Sequence, residues 1–277
     1  MTVQAALQQA CRLLEEAGIA APRLAAEVLL SHSLGRDRVW LYAHPEAELN
    51  DQEWAQFAHS LSQRVGGKPT QYIIGRQEFY GREFVVTPDV LIPRPETEHV
   101  VEAVMALPQA PQRIVDIGCG SGSIAVTLQL ELGSEVWGTD VSVAALRVAA
   151  ENARRLGARI HLVACDLGSA LAEGAFDLVV SNPPYVSEQE RPGLQREVRD
   201  WEPACALFAG PTGMEFYQRL IEEAGRLLSA GGRLIMELGY RSLEPVRAML
   251  GRRWDQINVI PDLAGIPRVL SARLLCG

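Results

Sequence analysis

Five short β-prone runs, at residues 113–117, 135–139, 160–164, 178–181 and 234–237, alternate with helical patterns such as 143–156 and 215–228. This alternation constrains the fold more than any other feature. Parallel strands need long crossover connections, and a helix is the usual one. The pattern therefore predicts an α/β fold, a mostly parallel sheet with helices on both faces. The ending differs. "WDQINVIPDLAGIPRVLSARLL" carries two β-prone runs joined by a turn around residues 262–265, with no helix between them. It predicts a terminal antiparallel hairpin on the same sheet.

The 277 residues allow one large domain or two smaller ones. Upstream of the alternation the texture is helical. Ala5, Ala6, Leu7, Ala10, Leu13, Leu14 and Ala17 recur at helical spacing and stop at Gly18. Pro22 opens a second run that ends near Gly35, and a third stripe from Trp54 to Val65 stops at Gly66 and Gly67. Next, "QYIIGRQEFYGREFVVTPDV" has short β-prone runs broken by glycine and proline, which reads as a β-hairpin connector. The expected organisation is a small all-helical domain at 1–67, a β-hairpin linker at 68–93 and the α/β domain at 94–277.

Charge and composition exclude several classes. The net charge is −8, which argues against a dedicated nucleic-acid binder. No apolar run approaches the ~18 residues of a membrane span, and the N-terminus lacks the basic start and apolar core of a signal peptide. The five cysteines, Cys11, Cys119, Cys165, Cys205 and Cys276, are scattered, with no C-x-x-C pair. Reduced thiols in the cytoplasm are expected, without a disulfide framework or metal site.

"RIVDIGCGSGSIAV" is a strand, a glycine-rich turn and a helix start. Gly118, Gly120 and Gly122 permit a tight turn and close approach of a ligand to the backbone of Cys119 and Ser121. The spacing is not the dinucleotide G-x-G-x-x-G, and no Lys-Ser or Lys-Thr follows to make a P-loop. Asp140 ends the second strand, in "EVWGTDVS", where it suits either the ribose hydroxyls of an adenosine or the N-cap of the next helix; Ser142 could cap instead. Asp166 ends the third strand, in "HLVACDL", as an acceptor for an adenine amino group or as a turn residue.

The fourth strand runs into Asn182, Pro183, Pro184 and Tyr185. The prolines carry no N–H, so the loop offers acceptors, the Asn182 side chain and the Pro183 carbonyl, without competing donors. Two acceptors select a planar NH2 group, and Tyr185 could stack on its flat face. A Pro-Pro pair that only stiffens a loop is the alternative.

Together these features resemble the class I (Rossmann-like) S-adenosylmethionine-dependent methyltransferases that modify planar nitrogen. "QYIIGRQEFYG", "LIPRPETE", "DIGCGSG", "SNPPY" and "DWEPACALFAGPTG" look like the protein-(glutamine-N5) methyltransferases of peptide chain release factors. The resemblance covers nearly the whole chain. It implies S-adenosylmethionine as cofactor, contacted by Gly118 to Gly122, Asp140 and Asn182, and a substrate glutamine, in a Gly-Gly-Gln loop of a release factor, held by Asn182 to Tyr185. One position departs: after Asp166, members of the group can carry an aromatic residue against the adenine, and here Leu167 provides an apolar lid. "LIPRPETE" reads as a lid over the cofactor through Arg94, Glu96 and Glu98, or as capping of the helix that follows.

Amide nitrogen is a poor nucleophile, so the expected contribution of the protein is alignment and stabilisation of charge growing on that nitrogen. No histidine base is required, since water can take the proton. His32, His44, His59, His99 and His161 read as surface or packing residues. The expected partner is a release factor, with no direct nucleic-acid contact and no membrane. Rival readings are an enzyme acting on adenine in DNA, one acting on a ribosomal-protein glutamine, and a non-catalytic module that keeps the cofactor pocket.

Overall fold

The computed structural model describes residues 1–275, so the thiol expected at Cys276 lies outside the described residues. It divides into two compact units, Met1–Arg76 with Gln195–Trp201, and Gln77–Leu194 with Glu202–Gly277.

Helices α1 (Val3–Glu16), α2 (Pro22–Leu34), α3 (Arg38–Ala43), α4 (Asp51–Val65) and α5 (Thr70–Ile74) build the first unit. Local chemistry sets their ends. Asn50 and Glu53 form a reciprocal capping box at the start of α4, and Pro22 occupies the first turn of α2. Ala6, Ala10 and Leu14 of α1, Leu29 and Leu30 of α2 and Phe57 of α4 are fully buried and form one core. The short α3 was not anticipated from the sequence. It is held by buried Glu27, which accepts from Arg38 Nη2 at 2.7 Å and Tyr42 OH at 2.6 Å. The segment Gln195–Trp201 belongs to this unit through buried Arg64, which pairs with Glu197, and through Trp201, whose ring lies 5.9 Å from the Lys68 ammonium.

The hairpin of β1 (Arg76–Phe79) and β2 (Arg82–Val85) leads into a 3₁₀ turn, Pro95–Thr97, and α6 (Glu98–Met105). The alternation follows as β3 (Arg113–Ile117), α7 (Ser123–Leu132), β4 (Glu135–Asp140), α8 (Val143–Leu156), β5 (Ile160–Ala164) and β6 (Phe176–Ser181). A short strand β7 (Val186–Ser187), α9 (Arg196–Trp201), α10 (Ala204–Leu207) and β8 (Phe208–Gly210) come next, and β7 pairs with β8. The chain then continues through α11 (Glu215–Leu227), β9 (Leu228–Glu237), α12 (Leu243–Leu250), β10 (Trp254–Pro261) and β11 (Pro267–Leu274).

The seven-stranded sheet has the order β10-β11-β9-β6-β3-β4-β5. Strands β9, β6, β3, β4 and β5 are parallel, and β11 pairs antiparallel with both β9 and β10. The terminal hairpin is thus as expected. Side chains alternate between the sheet's two faces. Ile114, Leu178, Val180 and Ile235 pack with α6 and α7, whereas Val115, Val179, Leu234 and Met236 pack with α11 and α12. Both faces are buried, which is why these strands read as continuous apolar runs.

Candidate active site

The sheet reverses its strand order between β3 and β6, and ligands of open α/β sheets bind at such a switch point, beyond the carboxyl ends of the strands. The ends of these two strands are fastened together, since Ser181 Oγ donates to the Ile117 carbonyl at 2.7 Å. The glycine turn after β3 is drawn towards β4, where the Thr139 carbonyl accepts from Gly118 N at 2.9 Å and Cys119 N at 2.8 Å. Gly118 and Gly120 have φ of 72° and 53°, a left-handed region costly for other residues. A cavity of about 470 Å³ opens there.

Gly118, Cys119, Gly120, Ser121, Asp140, Asp166, Leu167, Asn182 and Pro184 line that cavity. Gly122, Pro183 and Tyr185 are not among its lining residues. Gly122 instead packs on α8, where a Cβ would meet Ala149 Cβ at 3.1 Å. The helix cap left open at Asp140 is taken by its neighbour: Ser142 Oγ caps α8 by accepting from Ala145 N at 3.1 Å. Asp140 is thereby free for the cavity, its oxygens accepting from Gly120 N at 2.9 Å and Ser142 N at 2.8 Å. Each carboxylate oxygen keeps a lone pair for a further donor. Asp166 is exposed and bound to Arg219 Nη2 at 2.6 Å, a partner the sequence reading did not foresee.

The stretch "LIPRPETE" does border the cavity, but through Leu91, Pro93 and Thr97. Arg94 is instead paired with buried Glu202, and Glu98 Oε1 accepts from Tyr80 N at 2.8 Å, which anchors α6 to the hairpin. Thr97 is buried and makes two short contacts. Its hydroxyl donates to Glu237 Oε2 at 2.6 Å and accepts from Asn182 Nδ2 at 3.0 Å. Tyr185 OH reaches the other oxygen of the same carboxylate, Oε1, at 3.3 Å. The ring of Tyr185 rests on Gly239, where a Cβ would come within 2.8 Å of Tyr185 Cδ2. Gly213 is pressed as closely to the backbone, since its Cβ would meet the Tyr185 carbonyl at 2.6 Å.

Comparison with known proteins gives this site its setting. Residues 5–75 match the family model described as PrmC N-terminal domain, and residues 98–197 match Methyltransferase small domain. The release factor glutamine methyltransferase of Koribacter versatilis is 46% identical, over 99% of this chain and 99% of its own. That of Nitratidesulfovibrio vulgaris is 42% identical, over 98% and 95%. This chain belongs to the release factor glutamine methyltransferase family. Solved structures agree on the fold. A methyltransferase from Pyrococcus furiosus superposes with a TM-score of 0.55 at 18% identity, covering 72% of this chain and 91% of its own. The catalytic domain of hMettl16 gives 0.57 at 16% identity, covering 86% and 87%. The fold is that of the class I methyltransferases.

For a glutamine methyltransferase of this family, the cavity suits S-adenosylmethionine. Asp89, Asp140 and Asp166 line it against the single guanidinium of Arg219, a balance that favours a cationic ligand. Ile117, Ile124, Leu167, Phe208 and Phe216 supply apolar wall. The two phenylalanines bring aromatic surface into a pocket where Leu167 stands after Asp166. Among the described residues no His, Cys, Asp and Glu cluster could hold a metal, and no histidine lines the cavity. Nor is any described helix long and apolar enough to cross a membrane.

Sequence reasoning missed Thr97, Glu237, Phe216 and Arg219. Thr97 carried a signal, since it lies inside the quoted "LIPRPETE", but the charged residues around it drew attention instead. Glu237 closes the apolar run of β9, and a carboxylate at the end of a buried strand is a signal in itself. Burial pushes its carboxyl up to about 7, against the lowering effect of its Thr97 and Tyr185 hydrogen bonds.

Proposed function

We propose that this chain transfers a methyl group from S-adenosylmethionine to the side-chain amide nitrogen, N5, of the glutamine in the Gly-Gly-Gln motif of peptide chain release factors. The observation that carries this reading is the amide of Asn182. Its NH2 is tied to Thr97, so its oxygen is the end available to a ligand, beside a proline without N–H. A site of this polarity prefers a substrate NH2 to a carbonyl or carboxylate.

When bound, S-adenosylmethionine supplies an activated methyl group on a sulfonium. Asp140 would hold the ribose hydroxyls, the glycine turn from Gly118 to Ser121 would contact the cofactor with Gly122 packing that turn on α8, and Leu167 and Phe216 would supply apolar surface for its base. Asn182 and the Pro183 carbonyl would hold the two hydrogens of the substrate amide. Both hydrogen bonds strengthen as positive charge grows on nitrogen, so they act on the transition state more than on the bound substrate. Pro184 lines the cavity beside Asn182, and Tyr185, whose ring rests on Gly239, would support the clamp from behind. The methylated nitrogen is strongly acidic and yields its proton to water. The helical region, read from the sequence as residues 1–67, is proposed to recognise the release factor, with the hairpin at 68–93 as linker and 94–277 as the catalytic part. The work of such an enzyme would lie in the cytoplasm, without nucleic acid or membrane as direct partner.

The test is transfer of labelled methyl to purified release factor, ribosomal protein and DNA in parallel. Label should enter the release factor alone. Asn182→Ala should keep its fold and lose about 10²–10³ in kcat, the usual cost of removing one group that acts on developing charge. Label in DNA with the release factor untouched would overturn the reading, as would an Asn182→Ala enzyme that turns over normally.

A further inference from the structure

A clamp that discriminates NH2 from oxygen needs an asparagine that presents only its oxygen. An amide side chain is nearly symmetric in shape, and either end fits the same space. Left alone, Asn182 would offer a donor as readily as an acceptor. Something must break that symmetry.

Glu237, Thr97 and Asn182 form a chain whose hydrogen-bond direction is fixed by its first member. Above about pH 7 the buried Glu237 carboxyl is ionised, and an ionised carboxylate only accepts. The Thr97 hydroxyl has one hydrogen, and Glu237 Oε2 takes it at 2.6 Å. The Thr97 oxygen can then only accept, so Asn182 must turn its NH2 towards it, at 3.0 Å. The Asn182 oxygen is what remains for the ligand. All three residues are held in place: Thr97 is 3% exposed, Glu237 is 1% exposed, and Asn182 lines the cavity. The second oxygen of Glu237 accepts from Tyr185, so one buried carboxylate reaches both ends of the Asn-Pro-Pro-Tyr stretch.

We propose that Thr97 and Glu237 are positioning residues that set the polarity of the clamp: they lock the amide of Asn182 oxygen-outward and thereby select a substrate NH2. The inference rests on the glutamine-methylation reading and deepens it. It also gives a physical reason for "LIPRPETE" and "SNPPY" to occur together, since the threonine of one orients the asparagine of the other. The carboxylate is costly to bury without a full counter-charge. The groups facing it are Glu96 and Thr97 before α6, Tyr185, Tyr217 and Arg268 of β11. Tyr217 OH donates to the Glu237 backbone carbonyl at 3.1 Å and accepts from Gly239 N at 2.8 Å, which fixes the end of β9. Carboxylate rather than amide at 237 is what the directional argument requires. A glutamine there could donate to Thr97, whose hydrogen would then pass to the Asn182 oxygen and leave the NH2 outward.

The experiment compares Thr97→Val, Thr97→Ser and Glu237→Gln with wild type in the full chain at about pH 8, where the Glu237 carboxyl is ionised. Thr97→Val keeps the shape and removes the hydroxyl. It should lower kcat on release factor about 10²-fold, with the calorimetric affinity for S-adenosylmethionine unchanged. Thr97→Ser should restore most of the rate, which a merely steric role would not predict. Glu237→Gln should lower kcat likewise, and provides the answer if Thr97→Val does not fold. A readout independent of turnover is the side-chain ¹⁵NH2 signal of Asn182, which should shift and exchange faster with water in Thr97→Val. Wild-type rates in Thr97→Val and Glu237→Gln, or an Asn182 signal unmoved by Thr97→Val, would overturn the relay. Failure of wild type itself to methylate release factor would count against the substrate reading alone, and the Asn182 signal would then decide the relay.

Discussion

Asp116 lies under the glycine turn, fully buried, with Oδ2 accepting from Ala125 N at 3.2 Å. Its burial, with a smaller contribution from nearby Asp140, pushes the carboxyl from 3.8 up to about 7, against the lowering effect of the Ala125 N–H. Glu237 is raised to about 7 in the same way, from 4.5. The consequence for stability has a definite sign. Between the unfolded and folded values the folded chain binds more protons, so stability falls as pH rises through that window. For Asp116 the loss begins near 3.8 and is complete above about 7. His32, pushed down by burial, acts in the opposite sense, so the informative comparison is between variants. Urea unfolding of wild type and Asp116→Asn should favour the variant more at about pH 8 than at about pH 5. An equal difference at both values would contradict the burial of an ionisable carboxyl beneath the turn. Asp116 lies behind the glycine turn and Glu237 behind the clamp, and ionisable groups raised by burial gather at functional sites.

Between elements, Asn152 of α8 does what a neighbouring strand would do. Its side chain accepts from Val85 N at 2.7 Å and donates to the Val85 carbonyl at 3.0 Å and the Ser121 carbonyl at 2.9 Å. One buried amide thus joins β2, α8 and the glycine turn. Asn152→Ala leaves these backbone groups without their partner, at a cost on the order of 1–3 kcal/mol for each that stays buried. It should lower the urea midpoint and weaken S-adenosylmethionine binding together. Loss of stability with unchanged cofactor affinity would separate Asn152 from the glycine turn. Strands β3, β4, β5 and β6 were legible because each is a short apolar run closed at or soon after its carboxyl end, by Gly118, Asp140, Asp166 and Asn182 in turn. Ser142 and Asp140 were likewise readable, since cap and acceptor are neighbours in sequence. The start of β9 at Leu228 was missed: "LSAGGR" reads as a turn, and the sheet absorbs it by a register shift against β6. Thr97 with Asn182 and Thr97 with Glu237 are 85 and 140 positions apart, and no local pattern encodes such a meeting. The helical stretch Arg196–Trp201 shows the same limit, because its place in the first unit depends on Arg64 far upstream.

Across the whole molecule, the chain matches its relatives over nearly its full length, so the helical unit and the sheet domain are both part of what the family shares. The sheet places the glycine turn and the Asn-Pro-Pro-Tyr stretch on adjacent strands, β3 and β6, which leave the sheet at its switch point. On the proposed reading, cofactor chemistry and substrate choice meet at one cavity, and the clamp's polarity decides which nitrogen is taken. A glutamate in place of the substrate glutamine would set a carboxylate against the Asn182 oxygen and leave both partners unsatisfied. Sites built for hydrogen bonding reject such a mismatch by roughly 10⁴–10⁵. The most direct test is mass spectrometry of release factor after incubation with the enzyme and S-adenosylmethionine. One added methyl should map to the glutamine of Gly-Gly-Gln, and none should appear after that glutamine is replaced by glutamate. Methyl on a lysine, on the chain terminus or on the glutamate variant would contradict the account.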